Sequence, residues 1–429
     1  MKCQVITLAI LAAILLLSAT SCKKEMFDKE EYTNLVDKLF RVDGIDENHD
    51  WLLTKDDTIT IKTPDSRIYS IQLMTGNPRT ATRAEILAEG VCYSNQVTLA
   101  YTVPIVSTMF YVAVLDKNSN YLGYKIVSYG TKEIELTVDA LDPFGGGFKK
   151  PDYQTFSYIY TTDFPVPSDA SFDYNDMVLR LSKKTPDLSN SLTVDLTVTL
   201  SAVGTKEPYA AAIQLVDVKY DDISSVTIVE GELMDKGYPF SRTITGGEEP
   251  LLRGRNGEAV INLFECSHWT YSKEKTELGS VLCRYFNVMR TTTEFESTNG
   301  DPVTVTYRIN FKSREKAQML TFDRIDPFII HQYNASNYEI HTYPHKFDEV
   351  LVHYITNRDA FDNHLSWCVT IPKGDFLYPI EGAKLCSFNN IIGETFGPYE
   401  GFANWLRNHN SSLNWYLNVT RPQLVFTLD

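Results

Sequence analysis

The chain reads as mainly β: two β-sandwich-like domains with few short helices, after an N-terminal lipoprotein signal. Three observations predict this class. Apolar residues recur with a period of two over much of the sequence. Clusters of Asp, Asn, Gly and Pro punctuate those runs. Aromatics make up 12%, with 25 Tyr, a composition suited to half-buried sheet faces. At 429 residues the chain also exceeds the roughly 250–300 at which one core stops growing, so two domains are the default.

The first element is not part of the fold. Lys2 gives a positive start, Val5 to Leu17 is an almost unbroken apolar run, and Ala19-Thr20-Ser21 leads into Cys22. That run is shorter than the roughly 20 residues a membrane span needs, and it has the layout of a secretory signal. The residues before Cys22 resemble a bacterial lipobox, with Ala19 where leucine is commoner. Residues 1–21 are then removed and Cys22 carries the lipid; the alternative is an ordinary signal peptide cut near Ser21. The address implied is the cell envelope, lipid-anchored to the outer membrane and surface-exposed or periplasmic. Residues 22–47 are charged and read as a spacer, with one helical patch at Leu35, Val36, Leu39 and Phe40.

Residues 48–141 form the first expected domain. Thr58–Lys62, Ser70–Leu73, Val97–Val103 and Met109–Leu115 alternate as half-buried strands, and Asp116–Asn120 turns the chain back through Tyr121–Val127. A single helix is expected at Arg83–Ala88. Residues 142–154 hold three glycines and two prolines without periodicity, the mark of a linker. Residues 155–429 are again β-rich. Leu192, Val194, Leu196, Val198 and Leu200 share one face, as do Val303, Val305, Tyr307, Ile309 and Phe311. Phe402, Trp405 and Leu406 fall at helical spacing after Pro398.

The net charge of −15 excludes a phosphate-backbone partner, since no basic stripe offsets it. Of seven cysteines, Cys92, Cys266, Cys283, Cys368 and Cys386 remain in the processed chain. Cys266 with Cys283, and Cys368 with Cys386, are spaced to close short loops, but buried unpaired thiols are the preferred reading. No Gly-x-Ser-x-Gly, His-Glu-x-x-His or Gly-x-x-x-x-Gly-Lys motif occurs, and no catalytic residue is assigned. Acids such as Glu339 and Glu381 meet, if at all, only in the fold.

One cluster carries candidate chemistry: Asp163, Asp169, Asp173, Asn175 and Asp176. Oxygen ligands at this density suit Ca²⁺, which takes 6–8 of them in irregular loops. The competing reading is a turn in which these side chains accept backbone N–H groups. His341 and His345 lie four apart, but Pro344 forbids the helix that would align them. A transition-metal site would need His331 and His353 to join them across strands.

Asp173-Tyr174-Asn175-Asp176 resembles the Asp-Phe-Asn-Asp core of the LruC-type domain of surface lipoproteins in the Bacteroides group. Further matches are Asp326-Pro327-Phe328, Glu339-Ile340-His341, Leu365-Ser366-Trp367 with Ile371-Pro372, Phe376 to Glu381, Phe402 with Trp405, and Trp415-Tyr416. The resemblance covers about residues 155–429, and Asn48-His49-Asp50-Trp51 looks like the lead-in to that family's N-terminal β-domain. It implies an exported lipoprotein with a β-rich C-terminal module and no established activity. Ser171 departs from the pattern, standing where an aspartate is usual.

The expected role is therefore non-enzymatic: a binding or adhesive envelope protein. The alternatives are a glycan-binding or glycan-processing lipoprotein of an uptake system, with exposed Tyr, Trp405 or Trp415 as platform, and a component of a surface fibre.

Overall fold

The computed structural model describes residues 46, 49–77, 79–80, 84–162, 173–188, 192–232, 250–254, 257–272, 285–289, 297–333, 336–342, 366–389 and 394–427. The expected signal at 1–21, and the expected spacer at 22–47 apart from Asp46, lie outside them.

The N-terminal lobe opens with β1 (Thr54–Lys62), β2 (Ser70–Met74), β3 (Glu85–Val91) and β4 (Gln96–Pro104). It continues with β5 (Met109–Leu115), β6 (Tyr121–Ser128), β7 (Glu133–Glu135) and β8 (Asp152–Tyr153). Two sheets form, in the orders β4-β1-β7 and β6-β5-β2-β3-β8. The period-two residues meet between them: Ile59, Ile61, Leu99 and Val103 face Ile71, Leu73, Val112 and Val114. Arg83 lies outside the described residues, and from Glu85 to Ala88 the expected helix is instead strand β3, paired with β2 on one side and β8 on the other. Ala, Glu and Leu are good helix formers, but intrinsic propensity is a weak prior that two strand partners override.

The C-terminal lobe contributes β9 (Thr155–Tyr160), β10 (Met177–Lys184), β11 (Thr193–Ala202), β12 (Ala210–Lys219) and β13 (Ile223–Glu230). Next come β14 (Leu251–Arg253), β15 (Glu258–Phe264), β16 (Tyr285–Phe286), β17 (Ser297–Thr298) and β18 (Val303–Phe311). Last are β19 (Ile325–Tyr333), β20 (Ser336–Ile340), β21 (Cys368–Ile371), β22 (Ser387–Asn389) and β23 (Glu394–Phe396). An antiparallel six-stranded sheet, β13-β18-β11-β10-β9-β21, packs on an antiparallel five-stranded one, β14-β15-β12-β19-β20. The alternation of Val194 to Leu200 and of Val305 to Phe311 is that of buried inner faces. On the outer face their neighbours pair across strands, Thr197 with Thr306 and Thr199 with Thr304, each at 2.9 Å.

Three short helices are described: α1 (Ser267–Ser272), α2 (Arg314–Gln318) and α3 (Glu400–Arg407). The mainly β class is the observed one, and the last helix falls where its apolar spacing placed it. Phe402, Trp405 and Leu406 are its buried face.

The segment before β1 ties the lobes together: Trp51 and Leu53 precede β1 but belong to the C-terminal core. The glycine-rich stretch folds back on the N-terminal lobe, where Phe144 and Phe148, on either side of the glycines, pack on Tyr121 at 5.0 and 5.1 Å.

Candidate functional site

The motif residues scattered along the C-terminal lobe converge at one corner beside the start of β10. Tyr174 takes φ +56, a left-handed conformation rare for an aromatic residue, and its hydroxyl donates to Ser366 O. That strained turn aims its neighbours at two segments, the Pro379–Gly382 loop and Thr162. Asp173 Oδ2 accepts Gly382 N–H at 2.9 Å. Asn175 Nδ2 donates to Pro379 O at 3.1 Å. Asp176 Oδ2 accepts from the Thr162 backbone N–H and, at 2.7 Å, from its hydroxyl. Thr162 in turn shares a hydrogen bond of 2.6 Å with Tyr209 on the facing sheet. Gly204 closes the corner: a Cβ there would stand 2.3 Å from Asn175 Oδ1, so only glycine fits.

Asp173 and Asn175 are fully buried and Asp176 nearly so. Their side chains fasten the Pro379–Gly382 loop and Thr162, just past the end of β9. Among the described residues no three acidic, histidine or cysteine side chains gather as a metal group. The described part of the loop is a brace, and the calcium reading turns on residues outside it. Asp163 and Asp169, the other candidate ligands, lie outside the described residues, as do Ser171, His345 and His353.

A second polar cluster lies on the five-stranded sheet. The β19–β20 hairpin pairs Ile329 with Ile340, which carries His341 back alongside Phe328 and Asp326. His341 Nδ1 lies 2.6 Å from Asp326 Oδ2 and its Nε2 lies 3.1 Å from Glu339 Oε2. Asp326 Oδ1 accepts the Thr342 N–H and hydroxyl at 2.9 and 2.7 Å. Burial alone would lower the His341 pKa, but the two carboxylates outweigh it and raise it to about 9. The ring is an imidazolium clamped between acids, with both N–H groups committed. Such a histidine neither binds a transition metal nor acts as a base near neutral pH. Sequence reasoning named Glu339 only as an acid that could meet Glu381, and Asp326 only as part of the family resemblance. The available signal was the period of two that sets Asp326, Phe328 and Ile330 on one face.

Trp405 and Trp415 sit inside the core at 0% and 1% exposure, so neither forms a platform. They make an aromatic knot with Phe402, Tyr399 and Phe376. The lead-in segment docks on this knot. His49 stacks edge-on between Trp51 and Trp405 at 4.7 and 4.3 Å, and burial lowers its pKa to about 4.

The Cys368–Cys386 loop closure does not form, and burial raises both thiols above their ordinary range. Cys266 is buried on the sandwich, while Cys283 lies outside the described residues. Glu339 is held by His341, whereas Glu381 sits on the loop that Asp173 and Asn175 fasten.

Partly exposed aromatics lie instead on the outer face of the N-terminal lobe. Tyr111, Tyr121, Phe144 and Phe148 cluster around the buried Tyr124. Exposed Met109 and Ile126 flank them, and Arg79 lies over the Tyr124 ring. Beneath them Tyr121 donates to Gln72, and Gln72 donates to Glu89. A crevice between the lobes, lined by Glu89, Tyr153, Lys183 and Gln318, has a volume of about 30 Å³. That space holds a water or two and no metabolite.

The model of a domain of unknown function, DUF4842, matches residues 190–416. Among solved structures, the fold is similar to that of a protein from Bacteroides ovatus described as a lipoprotein. The match has 14% identity and a TM-score of 0.50, over 84% of this chain and 99% of that one. A pilin, SpaD of Corynebacterium diphtheriae, matches at 10% identity and a TM-score of 0.15 over 67% of this chain and 64% of that one, too weak a likeness to argue from. No curated protein matches the chain.

Proposed function

The chain belongs to the DUF4842 family, and from that premise we propose a lipid-anchored cell-envelope protein with a non-enzymatic binding or adhesive role. The non-enzymatic part rests on one observation. The residues that carry the family resemblance are spent on bracing the interior, Asp173 on Gly382, Asn175 on Pro379 and Tyr174 on Ser366. Groups committed to buried hydrogen bonds are not poised to attack, protonate or polarise a substrate. The convergence of these motifs at one corner also supports an LruC-type module within the family. A calcium-held version of the loop would draw on Asp163 and Asp169.

The anchoring part rests on Val5–Leu17 followed by Ala19–Cys22, and the fold likeness to the Bacteroides ovatus lipoprotein accords with it. Outer-membrane placement, periplasmic or surface-facing, follows from that reading. In a native host the protein should partition with membranes and carry acyl mass on Cys22. Cys22→Ala should move it to the soluble fraction or leave the leader uncut, and an unmodified wild-type N-terminus would overturn the anchor.

A glycan-binding role is a second reading, favoured by the half-exposed rings Tyr111, Tyr121, Phe144 and Phe148 beside Arg79. Flat apolar rings next to hydrogen-bonding groups match the two faces of a neutral sugar. On a glycan array, the soluble form should bind at least one class. Tyr111→Ala with Phe148→Ala should weaken that binding about tenfold, the equivalent of about 1.4 kcal/mol. An array without signal removes this reading.

A further inference from the structure

The lobes meet through groups that the proposed function does not use. The outer face of β1 and β4 presents Asp56 directly opposite Thr102. Against it lies the turn Thr321–Arg324, anchored in the other core by Phe322, which stacks on Phe156 at 4.1 Å. Phe322 N–H donates to Thr102 Oγ1 at 3.1 Å, leaving the threonine proton for Asp56. Asp323 reaches back across the seam. Its Oδ1 accepts from Thr54 Oγ1 at 3.3 Å, two residues from Asp56 on the same face of β1, which sets the two carboxyls beside each other. Two neighbouring carboxyls repel strongly when both are charged, which favours one proton held by the pair.

The surroundings support a single negative charge on the pair. From the C-terminal lobe, Lys183 on β10 is fixed to Leu320 O at 2.6 Å and faces Asp56, with Glu89 across the crevice. Tyr158 on β9 and the Thr321 hydroxyl complete that side. From the N-terminal lobe, Tyr129 donates its hydroxyl to Asp56 O, under Lys55 at 3.9 Å from its ring. Asp57, the remaining acid nearby, is paired with Lys132. With one shared proton the pair carries −1, balanced by Lys183; without it a second buried charge has no partner.

We propose that Asp56 and Asp323 form a proton-sharing clasp between the two lobes, closed while the proton is held and loosened as it is lost. Burial and the neighbouring carboxylate both raise the acids, Asp323 to about 7. A raised folded-state pKa means the folded protein holds a proton that the unfolded chain, titrating near 3.8, has released. Stability from the clasp is therefore complete below about pH 4 and is lost up to about pH 7. One proton corresponds to at most a tenfold fall in the folding constant per pH unit across that window.

The test compares the full chain with Asp323→Asn, whose amide permanently supplies the bridging hydrogen. Exchange of the Phe322 amide, corrected for intrinsic rate, should quicken in wild type from pH 5 to pH 8 and stay level in the variant. Melting temperatures should agree at pH 4 and favour the variant at pH 8. Asp56→Asn should behave in the same way. Equal pH profiles in wild type and either variant would overturn the clasp. Should neither variant fold, pH-independent Phe322 protection in wild type would overturn it equally.

Discussion

Asp326→Ala will lower the free energy of unfolding by about 3–5 kcal/mol, the cost of leaving a buried charge without its partner. Asp326 is fully buried, and each of its oxygens is engaged, one on His341 and the other on Thr342. Truncation leaves the imidazolium with Glu339 alone and strands two donors of Thr342. Removing a charge while keeping the shape separates the two losses. Asp326→Asn retains an acceptor for Thr342 and should cost less than the alanine variant.

The same cluster predicts a pH dependence of definite sign. The pKa of His341 is raised from 6.5 to about 9, so its stabilisation is complete below about pH 6.5 and disappears as pH climbs to about 9. A shift of that size is worth about 3 kcal/mol, at about 1.4 kcal/mol per unit. Urea titrations at intervals from pH 6 to pH 9 should show the decline in wild type and little of it in His341→Gln. The window lies above that of the carboxyl clasp, so the two contributions separate along the pH axis. A flat wild-type profile between pH 6.5 and 9 would mean the ring is neutral in the folded protein.

The second large effect is expected at the lead-in to the fold. Trp51→Ala and Trp405→Ala should each cost about 3–5 kcal/mol, the range for emptying a buried aromatic site. The two rings touch, with centroids 5.5 Å apart and His49 between them. Losses at neighbouring sites do not add, and the double variant should be less destabilised than the sum by about 0.5–3 kcal/mol. Additive losses would show that Trp51 merely sits beside the knot. The expected coupling would show that a segment preceding the first lobe helps to hold the second one.

Much of the architecture was legible because sheets write a simple pattern. Leu196, Val198 and Leu200 must all face inward once any one of them does, and the alternation says so without coordinates. The buried Phe402–Leu406 stripe was readable for the same reason at helical spacing. Ala84 to Ala88 misled because local preference is only a weak prior and the decisive partners, β2 and β8, come from elsewhere in the chain. Spacing allowed a Cys368–Cys386 closure, but the preferred reading, buried unpaired thiols, is the observed one: Cys368 lies buried on β21 and the Cys386 thiol turns toward Glu400 O.

The candidate site was legible as a group of residues but not as a function. Asp173, Asn175 and Asp176 stood out by density, yet density does not give direction. Their partners are Gly382, Pro379 and Thr162, two of them more than 200 residues away. Only that geometry shows the brace they form.

The sequence by itself determined the β class and the faces that must be buried, because each is written in neighbouring residues. Tertiary structure alone decided that Asp56 meets Asp323, that His341 is clamped by Asp326 and Glu339, and that Trp51 belongs to the distant core. Charges and rings act over a few ångströms in space, and separation along the chain carries no information about that distance.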